Sequence, residues 1–157
     1  LATPATFQGA LYASVVERFG AGVELFQHTC PGLVSQIELG ELDTPKTRAI
    51  LEDALLPMLE KNIDTVVLGC THYPFVIPLV EQVVGENVRV IDPAPSVARQ
   101  VKRLLEAGGL LNSSGVQSRI QIYTSGDVEI VKSVLPKLLS EAALVKFVTW
   151  KTDSEIL

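Results

Sequence analysis

The chain has 157 residues, 47% of them hydrophobic and 20% charged, a globular balance that excludes intrinsic disorder. Its formal net charge of −5 offers no basic footprint, so nucleic acid is not expected as a direct ligand. No apolar run reaches the ~20 residues that a spanning helix needs, so no membrane association is expected, and no signal-peptide pattern opens the chain.

Leu1-Ala2-Thr3 reads as the end of a strand, and the chain opens without methionine, as a trimmed terminus or a fragment of something longer would. Phe7, Leu11, Val15, Val16 and Phe19 then fall on one helical stripe from Phe7 to Phe19, which Gly20 and Gly22 stop. Thr3 and Thr6 either contact a substrate or cap this helix, the cap being the simpler reading. Val23 to Phe26 reads as a short strand leading to a loop at His28-Thr29-Cys30-Pro31-Gly32, with a helical turn over Leu33 to Leu39 beyond it. Thr44 is placed to cap the next helix with Pro45 at its first position, and the apolar stripe Ile50, Leu51, Ala54, Leu55, Met58 and Leu59 follows. Pro57 inside that helix bends it or marks its last turn.

Asp64-Thr65-Val66-Val67-Leu68 is β-rich and apolar, as a buried strand should be. Gly69 allows a turn, and helical periodicity resumes from Phe75 to Val84. The turn between them carries Cys70 and His72, a thiol and an imidazole beside a helix start, where a cysteine's pKa of about 8.5 can be lowered. A buried cysteine more often packs as a small hydrophobe, so spacing alone leaves chemistry and packing evenly matched. Val88 to Ile91 is a further strand, Asp92 shapes the turn after it, and a helix runs from about Ser96 to Ala107. Gly108-Gly109 and Asn112-Ser113-Ser114-Gly115 interrupt the pattern. Arg119 to Tyr123 then reads as a strand with Ile120 and Ile122 on one face, Thr124-Ser125-Gly126-Asp127 as a cap, Val128 to about Ser140 as a helix, and Leu144 to Trp150 as a last strand.

Short apolar strands alternating with helices predict an α/β fold with a parallel sheet. Ligands in such folds gather beyond the carboxyl ends of the strands. Thr3 and Thr6, Cys30, Cys70 to His72, and Asp92 each follow an expected strand, so four segments are expected to meet at one sheet edge. Two cysteines forty positions apart suggest neither a disulfide framework nor a metal cluster, and a reducing cytoplasm fits.

Leu68-Gly69-Cys70-Thr71-His72-Tyr73-Pro74 resembles the second active-site cysteine motif of the glutamate racemases, which are cofactor-independent amino-acid racemases. Aspartate racemases usually carry glutamate where this chain has His72. The segment Cys30-Pro31-Gly32-Leu33-Val34-Ser35-Gln36-Ile37-Glu38 is similar to the family stretch whose glutamate sits near the catalytic histidine. The resemblance implies that Cys70 moves the α-proton on one face of the substrate, assisted by His72 with Glu38 holding its tautomer. It implies that Thr71, with His72, Thr3 and Thr6, contacts glutamate, and that no cofactor or metal is needed. Cys30 is structural at this family position. The family's other thiol lies in a Cys-Asn-Thr motif and its aspartate in an Asp-Ser-Gly motif, and this sequence contains neither. Against the family, residues 1–93 form the α/β lobe carrying the second cysteine, and residues 94–157 the returning part of another, incomplete lobe. The expected activity is interconversion of L- and D-glutamate for peptidoglycan, with the chain alone inactive and a homodimer left open. The alternatives are a truncated homologue that binds an amino acid or another subunit, and a racemase of a related acidic amino acid.

Overall fold

The computed structural model describes residues 1–112, 114–115, 119–139, 142–152 and 155–156; Ser113 and Ser140, which the sequence reading uses, lie outside them. The chain divides into two compact units, Leu1–Leu110 and Leu111–Leu157.

In the first unit the stretch expected as one helix is two, α1 (Pro4–Gln8) and α2 (Ala10–Phe19). Gly9 separates them because its backbone is extended, ending α1 and opening α2. Thr3 caps α1, its hydroxyl accepting from the Thr6 amide at 3.4 Å. The expected apolar stripe on α2 is solvent-facing: Leu11, Val15 and Phe19 are exposed and α2 buries no side chain. Residues 23–26, expected as a strand, form no ladder. α3 (Leu33–Glu38) opens after Gly32, whose φ of 84° is left-handed and favours glycine.

α4 (Pro45–Leu59) starts as its sequence signals, with Thr44 accepting from the Thr47 amide at 3.2 Å and Pro45 in the first turn. Thr47 is fully buried, and its hydroxyl donates to the Glu41 carbonyl at 2.5 Å, so the buried oxygen is satisfied. β1 (Thr65–Val67) pairs in parallel with β2 (Arg89–Ile91), Val66 opposite Val90. Their connection holds a 3-10 turn (Tyr73–Val76) and α5 (Ile77–Val84). After β2, the Asp92 carboxylate accepts from the Ala94 amide at 2.9 Å and starts α6 (Ala94–Ala107). α6 buries none of its side chains, and Val97, Val101 and Leu104 stand exposed along it. The compact units divide after α6, whereas the boundary expected from sequence, between residues 93 and 94, precedes it.

The core of this unit is built by α3, α4 and α5 over β1. Leu33 and Ile37, Leu51 and Leu55, and Val80 are wholly buried, with Val66, Leu68 and Val76 nearly so. Truncating one such leucine to alanine typically costs about 2–5 kcal/mol.

The second unit holds β3 (Ile120–Thr124), α7 (Val128–Leu138) and β4 (Ala143–Phe147), with β3 and β4 parallel. The Asp127 carboxylate caps α7, accepting from the amides of Glu129 and Ile130. The last strand expected from sequence is two pieces: β4 ends at Phe147, and β5 (Trp150–Thr152) pairs antiparallel with β6 (Glu155–Ile156).

Leu1 and Ala2 extend the β1 side of the first unit. The Leu1 amino group donates to the Val67 carbonyl at 2.8 Å, and the Gly69 amide donates to the Leu1 carbonyl at 2.7 Å. On the opposite side the Ala2 amide donates to the His28 carbonyl at 3.2 Å. Gly69 lets these segments approach: a Cβ there would lie 3.1 Å from the Ala2 Cβ and 3.2 Å from the Leu1 carbonyl oxygen. Gly69→Ala is therefore expected to destabilise the first unit by about 1–3 kcal/mol, read as a lower urea midpoint. An unchanged midpoint would show that the contact yields without cost.

Candidate active site

Beyond the carboxyl end of β1 the chain passes through Gly69 and makes a bend at Cys70, Thr71 and His72 before the 3-10 turn. The bend is held by its own backbone: the Tyr73 amide donates to the Cys70 carbonyl at 3.3 Å and the Phe75 amide to the His72 carbonyl at 3.1 Å. The structure brings His72 and Glu38 together, with Nε2 and Oε1 3.2 Å apart. Glu38 is the last residue of α3, whose buried Leu33 and Ile37 anchor it beside the 3-10 turn. A carboxylate at Nε2 favours the tautomer with its proton there, leaving Nδ1 free to accept. The pair is open to water, with the side chains 36% and 63% exposed. It positions the ring and adds little to stability.

The two cysteines are free and differ in setting: Cys70 is half-buried, Cys30 buried. Burial pushes the Cys30 thiol up to about 11, against the opposing effects of the nearby amino terminus and a hydrogen bond from Tyr73, with Cys70 adding to the rise. Burial likewise pushes the Tyr73 hydroxyl up to about 12, reinforced by the charges that Cys30 and Cys70 would carry. Cys30 therefore stays a protonated thiol at neutral pH and sits as a packing group beneath the bend.

Thr71 does not stand at an α-helix start. It is exposed and precedes a 3-10 turn, and α5 begins only at Ile77. The cause is Pro78, which has no N–H to donate to the Pro74 carbonyl. The Ile77 amide bonds to that carbonyl instead, in the 3-10 pattern. Thr3 and Thr6 are engaged with each other, their hydroxyls 3.0 Å apart. Ala2 and Gly69 bring the end of this threonine segment beside the Cys70 bend.

Residues 1–101 match the sequence pattern of the Asp/Glu/Hydantoin racemases. The chain belongs to that family. Among its relatives, a glutamate racemase of Pseudomonas aeruginosa (strain UCBPP-PA14) is 45% identical over 138 residues, 88% of this chain and 52% of the relative. One of Roseiflexus sp. (strain RS-1) is 40% identical over 88% of this chain and 51% of its own length. A glutamate racemase crystal structure from Francisella tularensis, in complex with D-glutamate, superposes with a TM-score of 0.79 at 26% identity, over 94% of this chain and 55% of that one. One from Thermus thermophilus, in complex with β-chloro-D-alanine, gives 0.74 at 30% identity, over 94% and 54%. The chain spans about half the length of the racemases it matches.

Tyr73 is a residue of this candidate site that sequence reasoning passes over. Its neighbours in the motif draw the attention, and the only signal is a hydroxyl in a stretch that is otherwise apolar. Its contact with Cys30 ties the bend to the loop before α3.

The two thiols should separate under alkylation. At pH 8, iodoacetamide is expected to modify Cys70 in the folded chain and Cys30 only after denaturation, as intact and peptide masses would show. Equal rates would contradict the assignment of Cys30 to the interior. The raised thiol pKa also fixes a pH dependence. Stability from keeping Cys30 neutral is fully present below its ordinary value of 9.0 and is lost as pH rises through about 11. Cys30→Ala should flatten the fall in melting temperature across that window.

Proposed function

We propose that this chain is the Cys70-bearing portion of a glutamate racemase that interconverts L- and D-glutamate without a cofactor, in the cytoplasm, supplying the D-enantiomer for peptidoglycan. The observation that carries the reading is the half-exposed thiol of Cys70 on a bend shared with a carboxylate-paired imidazole beyond the carboxyl end of β1, in a chain 45% identical to a glutamate racemase over 138 residues.

Racemisation removes the α-proton from one face of the carbon and returns one to the other. Cys70 as thiolate takes the proton, the electron pair passes into the α-carboxylate, and a second acid on the opposite face delivers its proton. In the reverse direction Cys70 is the donor. His72, oriented by Glu38, accepts the thiol's proton to reset the thiolate and contacts the substrate. Thr71, with Thr3 and Thr6, supplies hydroxyls to the amino acid's polar ends. His72 supports glutamate over aspartate as substrate.

Only one face of the carbon is served by this chain. The sequence has two cysteines, and Cys30 is buried and held protonated, so it does not act as the opposite base. The Cys-Asn-Thr and Asp-Ser-Gly motifs of the family are absent from the 157 residues. The chain by itself is thus expected not to racemise glutamate. Residues 94–157 are assigned to the returning part of the second lobe, a reading supported by α6 burying none of its side chains.

A chimera tests this reading. This chain replaces the 138-residue segment that it matches in the Pseudomonas aeruginosa glutamate racemase, and conversion of L-glutamate is followed by circular dichroism. The chimera is expected to turn over, and Cys70→Ala to lower the rate by about 10²-fold or more. A folded chimera that is inactive, or one indifferent to Cys70→Ala, would overturn the proposal, as would turnover by the unmodified chain that Cys70→Ala abolishes.

A further inference from the structure

Two consecutive residues of the bend grip the two ends of one short helix. His72 meets Glu38, the last residue of α3, with Nε2 and Oε1 3.2 Å apart. Tyr73 meets Cys30, in the turn from which α3 opens. Its hydroxyl donates to the Cys30 sulfur and accepts from the Cys30 amide, while its own amide donates to the Cys70 carbonyl at 3.3 Å. The Cys30 carbonyl in turn accepts from the Leu33 amide, the first of α3, at 3.1 Å. Tyr73 thus joins the bend that carries Cys70 to the start of the helix that carries Glu38.

The two grips differ in strength. The His72 and Glu38 side chains are 36% and 63% exposed, and an ion pair so open to water contributes little and does not hold its own geometry. Tyr73 is 2% exposed and is the largest fully buried side chain. Hydrogen bonds in that setting are shielded from water, and losing them leaves a buried amide without an acceptor. Phenylalanine would fill the same volume, so packing alone does not call for the oxygen. Leu33 and Ile37 fix which face of α3 is buried, and the contact at Cys30 fixes where against the bend the helix starts. With six residues, α3 is only about 9 Å long, so a shift at its start reaches Glu38.

We propose that Tyr73 is a positioning residue of the candidate site: its hydroxyl holds the start of α3 against the Cys70 bend and so keeps Glu38 on the His72 ring. The exposed pair is then held from behind by a buried contact and not by its own attraction. Tyr73 touches no reacting atom and acts through Glu38 and His72. The consequence for catalysis rests on the proposed racemase activity; the tie itself rests on the contacts of Tyr73.

The test reads the His72 tautomer from ring-nitrogen NMR shifts in the isotope-labelled chain, with His28→Gln removing the other histidine. Tyr73→Phe should lower the ratio of the Nε2–H to the Nδ1–H tautomer about twofold or more, as should Glu38→Ala, and the two together no further than either alone. Cys30→Ala, which removes the sulfur and keeps the amide, should move the ratio the same way by less. Should Tyr73→Phe not fold, Cys30→Ala decides on the same readout. In the Pseudomonas aeruginosa chimera, Tyr73→Phe should lower kcat about tenfold with KM unchanged, the mark of a misplaced group and not of lost binding. An unchanged ratio in a folded Tyr73→Phe chain, even one that melts lower, would overturn the proposal and leave the hydroxyl to packing. So would additive effects of Tyr73→Phe and Glu38→Ala, or an unchanged kcat in an active chimera. A lowered ratio in the chain beside a chimera without turnover would support the tie and overturn the racemase activity instead.

Discussion

The geometry of the candidate site depends on a single close approach, that of Leu1 and Ala2 to Gly69. Three backbone hydrogen bonds fix it, two to β1 and its end and one to the His28 carbonyl. Each is worth only about 0.5–1.5 kcal/mol net, but together they bind three stretches far apart in sequence at the carboxyl end of one sheet. A side chain at position 69 would press within 3.1 Å of the Ala2 methyl carbon. From that junction the chain has one short bend in which to place Cys70 and His72 before the 3-10 turn closes it. The loop ending at Cys30, docked through Ala2, leads directly into α3 and so delivers Glu38 to the imidazole.

Two thiols near one another acquire opposite characters from this arrangement. Cys30 lies under the bend, where burial penalises its charged form and the Tyr73 hydroxyl occupies its sulfur. Cys70 lies on the bend and meets solvent. Position relative to the sheet edge decides which sulfur meets solvent and which packs. The His72–Glu38 pair is likewise suited to orientation more than to stability, since both side chains remain in contact with water.

Much of this was legible in the residues because it rests on local chemistry. Thr44 with Pro45, and Asp127 ahead of α7, announce helix starts through hydrogen bonds made within a few residues. Asp92 likewise turns the chain after β2 through its own carboxylate. The arrival of Cys70 and Asp92 at one sheet edge followed from the parallel pairing of β1 and β2. The segments at Thr3 and Cys30, by contrast, follow no strand and are brought there by the bonds of Leu1 and Ala2. What could not be read depends on partners remote in sequence or on exclusions by a single atom. Residues 23–26 have strand composition, but a strand requires a neighbour, and the place beside them is an open groove. The stripe from Phe7 to Phe19 keeps helical spacing, yet Gly9 breaks it, and periodicity does not reveal that its apolar face stays exposed. Thr71 looked like a helix start because the apolar spacing resumes just after it, whereas the missing amide of Pro78 moves the α-helix onward.

The most direct measurement of the central contact is a nuclear Overhauser effect between the Ala2 methyl protons and the Gly69 α-protons in isotope-labelled protein. The structure puts the position of a Gly69 Cβ 3.1 Å from the Ala2 Cβ, so a strong cross-peak is expected. Its absence, with both resonances assigned and the chain folded, would contradict the junction on which the placement of Cys70, His72 and Glu38 rests.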